Sequence, residues 1–475
     1  MTMDALRLGG HVRPATFPIS LRSMTVAGTD ASSPTTLPSR VRLGYAAGSV
    51  ATGAFGTVPG LMLLPFLTNS LGVPALWAGA IVFLPKAWDV VLNPLAGRLS
   101  DRTVDRRGPR RPWLLRGGIV LVVAFALLFT GPALGSTGAD AAWVLIAFIA
   151  CATGYALFQV PYVSMPAEIT DSYHERTRLM AWRVAALALV ILVAGASAPA
   201  IRDAVGGRDG YRVMGLVMAG VIALGVVGSY LGTRSAPIGA VAAGAGSLRE
   251  QLRIVAGNRD FRLLLTTFVV QALAIGAMLA GVDYLASDVL RTPGASTILF
   301  LCFVGPALAL TPVWTQVEKR IGKRAGYLAA SVLLIIGAAL TVVSRLVEPG
   351  VVYGAVALAG IGYAGAQLFP LAMLPDTAAA DARRTGENRV GVFTGVWTAG
   401  ETLGLALGPA LFALVLAIGG YRSSAGTAVE QPDSALSAIV IGFSLVPAVL
   451  VAISLLALGR YRLTRDDGME DGETT

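Results

Sequence analysis

The chain has 475 residues, 55% of them hydrophobic and 14% charged, with a mean hydropathy of +0.69. That leaves too little polar surface for a water-soluble protein of this length. The formal net charge of +9 would suit a nucleic-acid partner, but the basic residues sit in short loops between apolar runs, which excludes that class.

Residues 1–40 are rich in Ser, Thr, Pro and Gly and lack the apolar stretch of a signal peptide. They read as a disordered cytoplasmic tail, with Met24 as an alternative start. About twelve apolar runs of spanning length follow: 43–69, 75–99, 113–135, 141–166, 179–201, 212–233, 261–286, 295–318, 325–345, 350–375, 390–418 and 434–460. The first six form an N-terminal bundle, 41–234, and the last six a C-terminal bundle, 261–461. Between them, residues 235–260 begin with the flexible SAPIGAVAAGAGS and continue into the basic LREQLRIVAGNRDFR, a short amphipathic helix for the inner leaflet. Residues 462–475 read as a solvated acidic tail.

Placing both termini in the cytoplasm puts about 30 of the 37 Lys and Arg on that side, including the Arg102–Arg116 cluster. The opposite loops hold few, among them Arg202, Arg208, Arg291, Arg345 and Arg422. The expected location is therefore the plasma or inner membrane, crossed many times.

Cys151 and Cys302 fall inside apolar runs without a CxxC or a neighbouring His, and read as small packing residues. No metal or other cofactor is expected. No phosphate loop, HExxH or GxSxG is present, so an enzyme is not expected and transport would draw on an ion gradient.

Charges inside the apolar runs carry the functional reading. Lys86 and Asp89 are three residues apart on one helical face and are expected to neutralise each other. A charge at bilayer depth costs roughly 2.5–3.5 kcal/mol, so such residues usually line a cavity or ion path. From helical rise, Glu401 lies at a similar depth in the eleventh run. Two acids and one Lys around a cavity leave one net negative charge for a proton or small cation to neutralise. The alternative is a structural Lys86–Asp89 pair. Tyr155 and Gln159 in the fourth run, Gln367 in the tenth and Trp397 in the eleventh offer hydrogen bonds and an aromatic platform to a polar ligand, or simply join helices. Asp283 lies near the outer end of the seventh run, as a ligand group, a gate or an anchor. The small-residue stretches GYAAGSVATGAFGTVPG and GETLGLALGPA let helices approach closely and slide. Asp101, Arg102, Arg110 and Arg111, with Glu168, Asp171, Arg176 and Arg178, interleave acids and bases on the cytoplasmic side, as a gate or as topology signals.

A faint internal repeat pairs NPLAGRLSDR at 93–102 with TPVWTQVEKR at 311–320, each leading into a basic turn, RRGPRR or IGKR. An all-α membrane protein of twelve transmembrane helices in two six-helix halves, with the ligand near the midplane, is the major facilitator arrangement.

Three segments then carry a family resemblance: WDVVLNPLAGRLSDRTVDRRGPRRPW, PYVSMPAEITDSYHERTRLMAWR, and MLPDTAAADARRTGENRVGVFTGVWTAGETLGLALGP. They resemble, in order, the signatures of the glycoside-pentoside-hexuronide cation symporters, the family of melibiose permease. The likeness covers about 41–460 and implies a symporter for a polar small molecule such as a glycoside. It also implies a cation site in the second helix, where relatives carry two Asp four apart. Here Asp89 is followed by Asn93, and Leu92 replaces a polar neighbour, so a proton is expected as the coupling ion in place of sodium. Glu401 stands where many relatives have Lys, and Gly53 and Gln159 stand where sugar-binding Asp residues align. These departures keep open a lipid-like solute or an exported drug as substrate. A non-transporting receptor or scaffold is the reading from another class. Oligomeric state is not legible.

Overall fold

The computed structural model describes residues 37–170, 172–236, 248–387, 389–427 and 429–463. The first 36 residues, Asp171, most of the linker and the acidic tail lie outside the described residues. Among those described, every regular element is helical.

Among the described residues eleven helices are long and apolar enough to span a membrane alone, and a bent pair makes a twelfth when counted as one span. Spans 1 to 6 are Ser39–Ser70, Ala75–Asp101, Arg111–Thr130, Thr137–Ser164, His174–Val205 and Gly207–Gly232. Spans 7 to 12 are Arg259–Leu290, Ala295–Ala309 with Thr311–Ile321, Lys323–Val343, Pro349–Thr385, Val390–Ile418 and Asp433–Gly459. All twelve expected runs are present. Ser39 and Arg40, expected in the tail, already form the first turn of span 1. An even number of spans brings Leu37 and Leu463 to one end of the bundle, here the terminal end; the other is the distal end.

Span 8 bends by 51° at its break. Pro306 and Pro312 flank that break, and each removes a backbone donor that would have continued the ladder. Spans 1 and 7, the first of each half, both finish in a π-helical turn, Phe66–Ser70 and Leu285–Leu290. Such turns widen the helix and re-aim its side chains, and they recur at functional sites.

Spans 1 to 6 pack with one another, as do spans 7 to 12. The halves meet where span 1 lies against span 7, span 2 against span 11 and span 5 against span 8. Small residues make these crossings close. A Cβ on Gly79 of span 2 would stand 2.6 Å from the Ala413 Cβ of span 11, so only glycine permits this approach.

The internal repeat is visible in contacts as well as in sequence. In the first half Arg110, at the head of span 3, pairs with Glu168 just beyond span 4 at 2.6 Å. In the second half Lys323, at the head of span 9, pairs with Asp376 of span 10 at 2.6 Å. Each basic turn thus meets an acid on, or just beyond, the span that follows the hairpin.

Candidate functional site

Five spans bring polar side chains together at mid-depth. Span 2 supplies Lys86 and Asp89. The Lys86 ammonium lies 4.7 Å from the Phe55 ring centre, 5.9 Å from that of Tyr155 and 6.0 Å from that of Phe148. Ring faces are electronegative, so this box helps to hold the cation. Among the described residues Lys86 makes no direct ion pair, although Asp89 is its charged neighbour and the two act on each other through space. Three-residue spacing places both on one face, but the Lys86 stem reaches into the aromatic box. Asp89 is 4% exposed, and its Oδ1 meets no donor. A buried carboxyl oxygen left unpaired is costly, and native proteins rarely tolerate one without a use for it.

Span 4 contributes Tyr155, whose ring sits 4.6 Å from Phe55, and Gln159, whose Oε1 is buried without a donor. Span 5 contributes Arg183, which the sequence reading passed over. Its guanidinium lies 5.6 Å from the Tyr162 ring centre, and its Nε is buried without an acceptor. Tyr162 is itself fixed, donating to the Tyr45 carbonyl at 2.7 Å and sharing a 3.1 Å hydrogen bond with Ser49.

From the other half, span 10 presents Tyr363 and Gln367, one turn apart, with the Gln367 amide donating to the Tyr363 hydroxyl at 3.0 Å. Span 11 presents Glu401. Among the described residues it makes no hydrogen bond or ion pair. Its charge acts on Tyr363 and on Tyr155, and Tyr155 also feels Asp89 and Arg183. Tyr155 is thus the common neighbour of both halves. Thr394 and Thr398 share the Glu401 face and turn their hydroxyls onto the carbonyls of Val390 and Thr394.

Three expected ligand residues lie elsewhere. Gly53 faces span 5, where an added Cβ would stand 3.1 Å from Val190. Trp397 is 2% exposed and stacks on Phe268 of span 7 at 4.4 Å, inside the second half. Asp283 belongs to the distal end. Asn93, two turns beyond Lys86, is half-buried and makes no hydrogen bond among the described residues.

At the distal end the halves are sewn together. Asp283 of span 7 accepts from Arg202 of span 5 at 2.7 Å and from Ser296 of span 8 at 2.7 Å. Both charges of the pair are buried. Thr68 in the π turn of span 1 shares a 2.7 Å hydrogen bond with Tyr284. The loop after span 11 then straps across. Ser424 N–H donates to the Thr68 carbonyl at 2.8 Å, Gly426 N–H to the Asn69 carbonyl at 3.0 Å, and the Ser423 hydroxyl to the Val73 carbonyl at 2.8 Å. The Tyr421 hydroxyl lies 2.9 Å from Asn69 Oδ1 and 3.2 Å from Asp288 Oδ2, one acceptor from each π turn. Burial and the neighbouring Tyr284 and Asp288 push the Tyr421 phenol well above its ordinary range, so it stays a donor. A cleft of about 630 Å³ lies over this closure.

At the terminal end Arg110 binds Asp101 at 2.5 Å, Glu168 at 2.6 Å and the Ser100 hydroxyl at 2.5 Å. Arg111 donates to the Arg107 and Ala236 carbonyls. Arg176 donates to the Thr170 carbonyl, and Arg178 pairs with Glu175 at 3.3 Å. These contacts lie within the first half, apart from Ala236 at the start of the linker. Arg102 is exposed, and Asp171 lies outside the described residues.

Twelve spans in two packed halves, with unpaired charges held between them and one end sealed, define a membrane transporter of the major facilitator fold. The chain belongs to the MFS/sugar transport protein family, which it matches over residues 44–465. It is 26% identical to a glucuronide carrier protein homolog of Escherichia coli, over 90% of this chain and 93% of that one. It is 25% identical to an isoprimeverose transporter of Lactiplantibacillus pentosus, over 90% of each. Among solved structures, a bacterial homologue of the human lysosomal transporter Spinster, inward-facing, superposes with a TM-score of 0.63 at 15% identity, covering 89% of this chain and 95% of that one. The family and these relatives are transporters and not enzymes.

Proposed function

We propose that the protein is a proton-coupled symporter that carries a polar small molecule such as a glycoside across the plasma membrane by alternating access. Asymmetry of the basic loops supports an orientation with the terminal end and both termini in the cytoplasm. The conformation described is then sealed on the outside. Arg110, Asp101 and Glu168 brace the cytoplasmic end, which takes over closure when the outer strap opens.

One observation carries the coupling: Asp89 and Glu401, one from each half, stand near Tyr155, and among the described residues neither makes a hydrogen bond or direct ion pair. A carboxyl group that the protein does not neutralise is free to load and release a proton as access alternates. Span 2 offers sodium only one carboxylate, whereas a hard cation prefers several oxygen ligands. The names of the relatives, a glucuronide carrier homolog and an isoprimeverose transporter, support a glycoside.

The test is transport by Asp89→Asn and Glu401→Gln in proteoliposomes, using a glycoside that the purified protein binds. Each variant should lose accumulation against a gradient yet keep exchange of internal for external substrate, because a permanently neutral site still binds but cannot couple. Undiminished accumulation by both variants would end this assignment.

A further inference from the structure

Arginine is concentrated where spans 7 and 12 reach the terminal end. Their end segments, 259–262 and 459–462, hold Arg259, Arg262, Arg460 and Arg462 against a single acid, Asp260. The two ends are neighbours because the spans pack together. Gln271 of span 7 donates to the Ser454 hydroxyl of span 12 at 3.1 Å, and the Arg462 backbone amide reaches Asp260 Oδ1 at 3.4 Å. Arg324, at the head of span 9, joins the group by donating to the Gly459 carbonyl at 2.7 Å. Tyr461 is buried with its hydroxyl 3.1 Å from that of Thr377, which pins the chain there while Arg460 and Arg462 on either side stay exposed.

All five arginines are exposed, and among the described residues none of them forms an ion pair. Exposed arginines at the distal end do hold acids: Arg212 pairs with Asp209 at 2.8 Å and Arg345 with Asp433 at 2.5 Å. The positive-inside tendency puts cations on one side of the membrane, but it does not gather five of them at one seam beside one acid. The seam also borders lipid. Val449, Ile453 and Leu456 form an exposed apolar stripe along span 12, and Arg460 continues it one turn beyond Leu456.

We propose that this seam binds an anionic phospholipid of the adjoining leaflet, the cytoplasmic one in the orientation above. The acyl chains lie along the stripe from Val449 to Leu456, and the phosphate sits among the arginines, where charge-assisted hydrogen bonds favour it. Each arginine at a bilayer surface adds roughly fivefold to the affinity for anionic lipid, and here several act on one headgroup. Bound there, the lipid ties the ends of spans 7, 9 and 12 into one block and stabilises the folded protein.

The experiment titrates the purified full-length protein, in detergent micelles, with dioctanoyl phosphatidylglycerol and with dioctanoyl phosphatidylcholine, which differ in headgroup charge. Binding is followed by calorimetry and by the thermal unfolding midpoint. Phosphatidylglycerol should bind at least about tenfold more tightly and raise the midpoint further, with the preference shrinking as salt is added. Arg460→Gln with Arg462→Gln should remove most of the preference, and the lysine pair, Arg460→Lys with Arg462→Lys, should restore most of it. Arg212→Gln, an equal loss of charge at the distal end, should leave it unchanged. Equal binding of the two lipids overturns the proposal, as does an equal effect of Arg212→Gln, which would reduce the preference to net charge. Inorganic phosphate that competes as strongly as the lipid also overturns it. A preference that emerges only when Asp466→Asn, Asp467→Asn, Glu470→Gln, Asp471→Asn and Glu473→Gln are combined would assign the arginines to the acidic tail instead.

Discussion

The distal closure and the midplane site lie on the same helices but treat polar groups in opposite ways. At the distal end the two buried charges are matched to each other. Arg202 meets Asp283, and hydroxyls and backbone amides of one half meet carbonyls of the other. At mid-depth Asp89 Oδ1, Arg183 Nε and Gln159 Oε1 are buried without a hydrogen-bond partner, and among the described residues Glu401 makes no ion pair. A saturated network makes a seam that stays shut until something replaces it, whereas an unsaturated one stores affinity for what arrives. In a low-dielectric interior both tendencies are amplified. The difference separates gate from site without reference to any bound molecule.

That contrast breaks first at Asp283. Asp283→Asn leaves Arg202 with only its half-exposed neighbour Asp203, and losing the partner of a buried ion pair costs about 3 kcal/mol or more. The distal end should open, lengthening the distance between spin labels at positions 207 and 427 in a background lacking Cys151 and Cys302. An unchanged distance distribution would show that the strap alone holds the seam. Tyr421→Phe is the smaller perturbation. It removes one hydroxyl shared between Asn69 and Asp288, worth about 1 kcal/mol, so the same label pair should report a shift of roughly fivefold in the closed population. A shift as large as that of Asp283→Asn would rank the strap above the ion pair.

Much of this architecture was legible because bilayer thickness imposes its length on the sequence. All twelve apolar runs became spans, and the pairing of RRGPRR with IGKR reappeared as Arg110–Glu168 and Lys323–Asp376. Side-chain direction was less accessible. Spacing put Lys86 and Asp89 on one face, yet the packing of Phe55 from span 1 and Phe148 from span 4 drew the ammonium away. Trp397 and Gly53 looked like ligand groups in linear sequence, and the neighbouring helices add contacts that spacing does not reveal, Phe268 against Trp397 and Val190 against Gly53. Arg183 had a usable signal, a lone charge inside an apolar run, the same signal that marked Lys86. The strap had none: YRSSAG reads as an ordinary polar loop until the π turns of spans 1 and 7 are seen beneath it.

The central claim is that unpaired carboxyls between the halves couple transport to protons. Uptake of a bound glycoside into proteoliposomes should be driven by an imposed pH gradient, acid on the face opposite the termini, with sodium absent from both sides. A sodium gradient at equal pH should drive none. Accumulation driven by sodium alone, with no response to the pH gradient, would contradict the account.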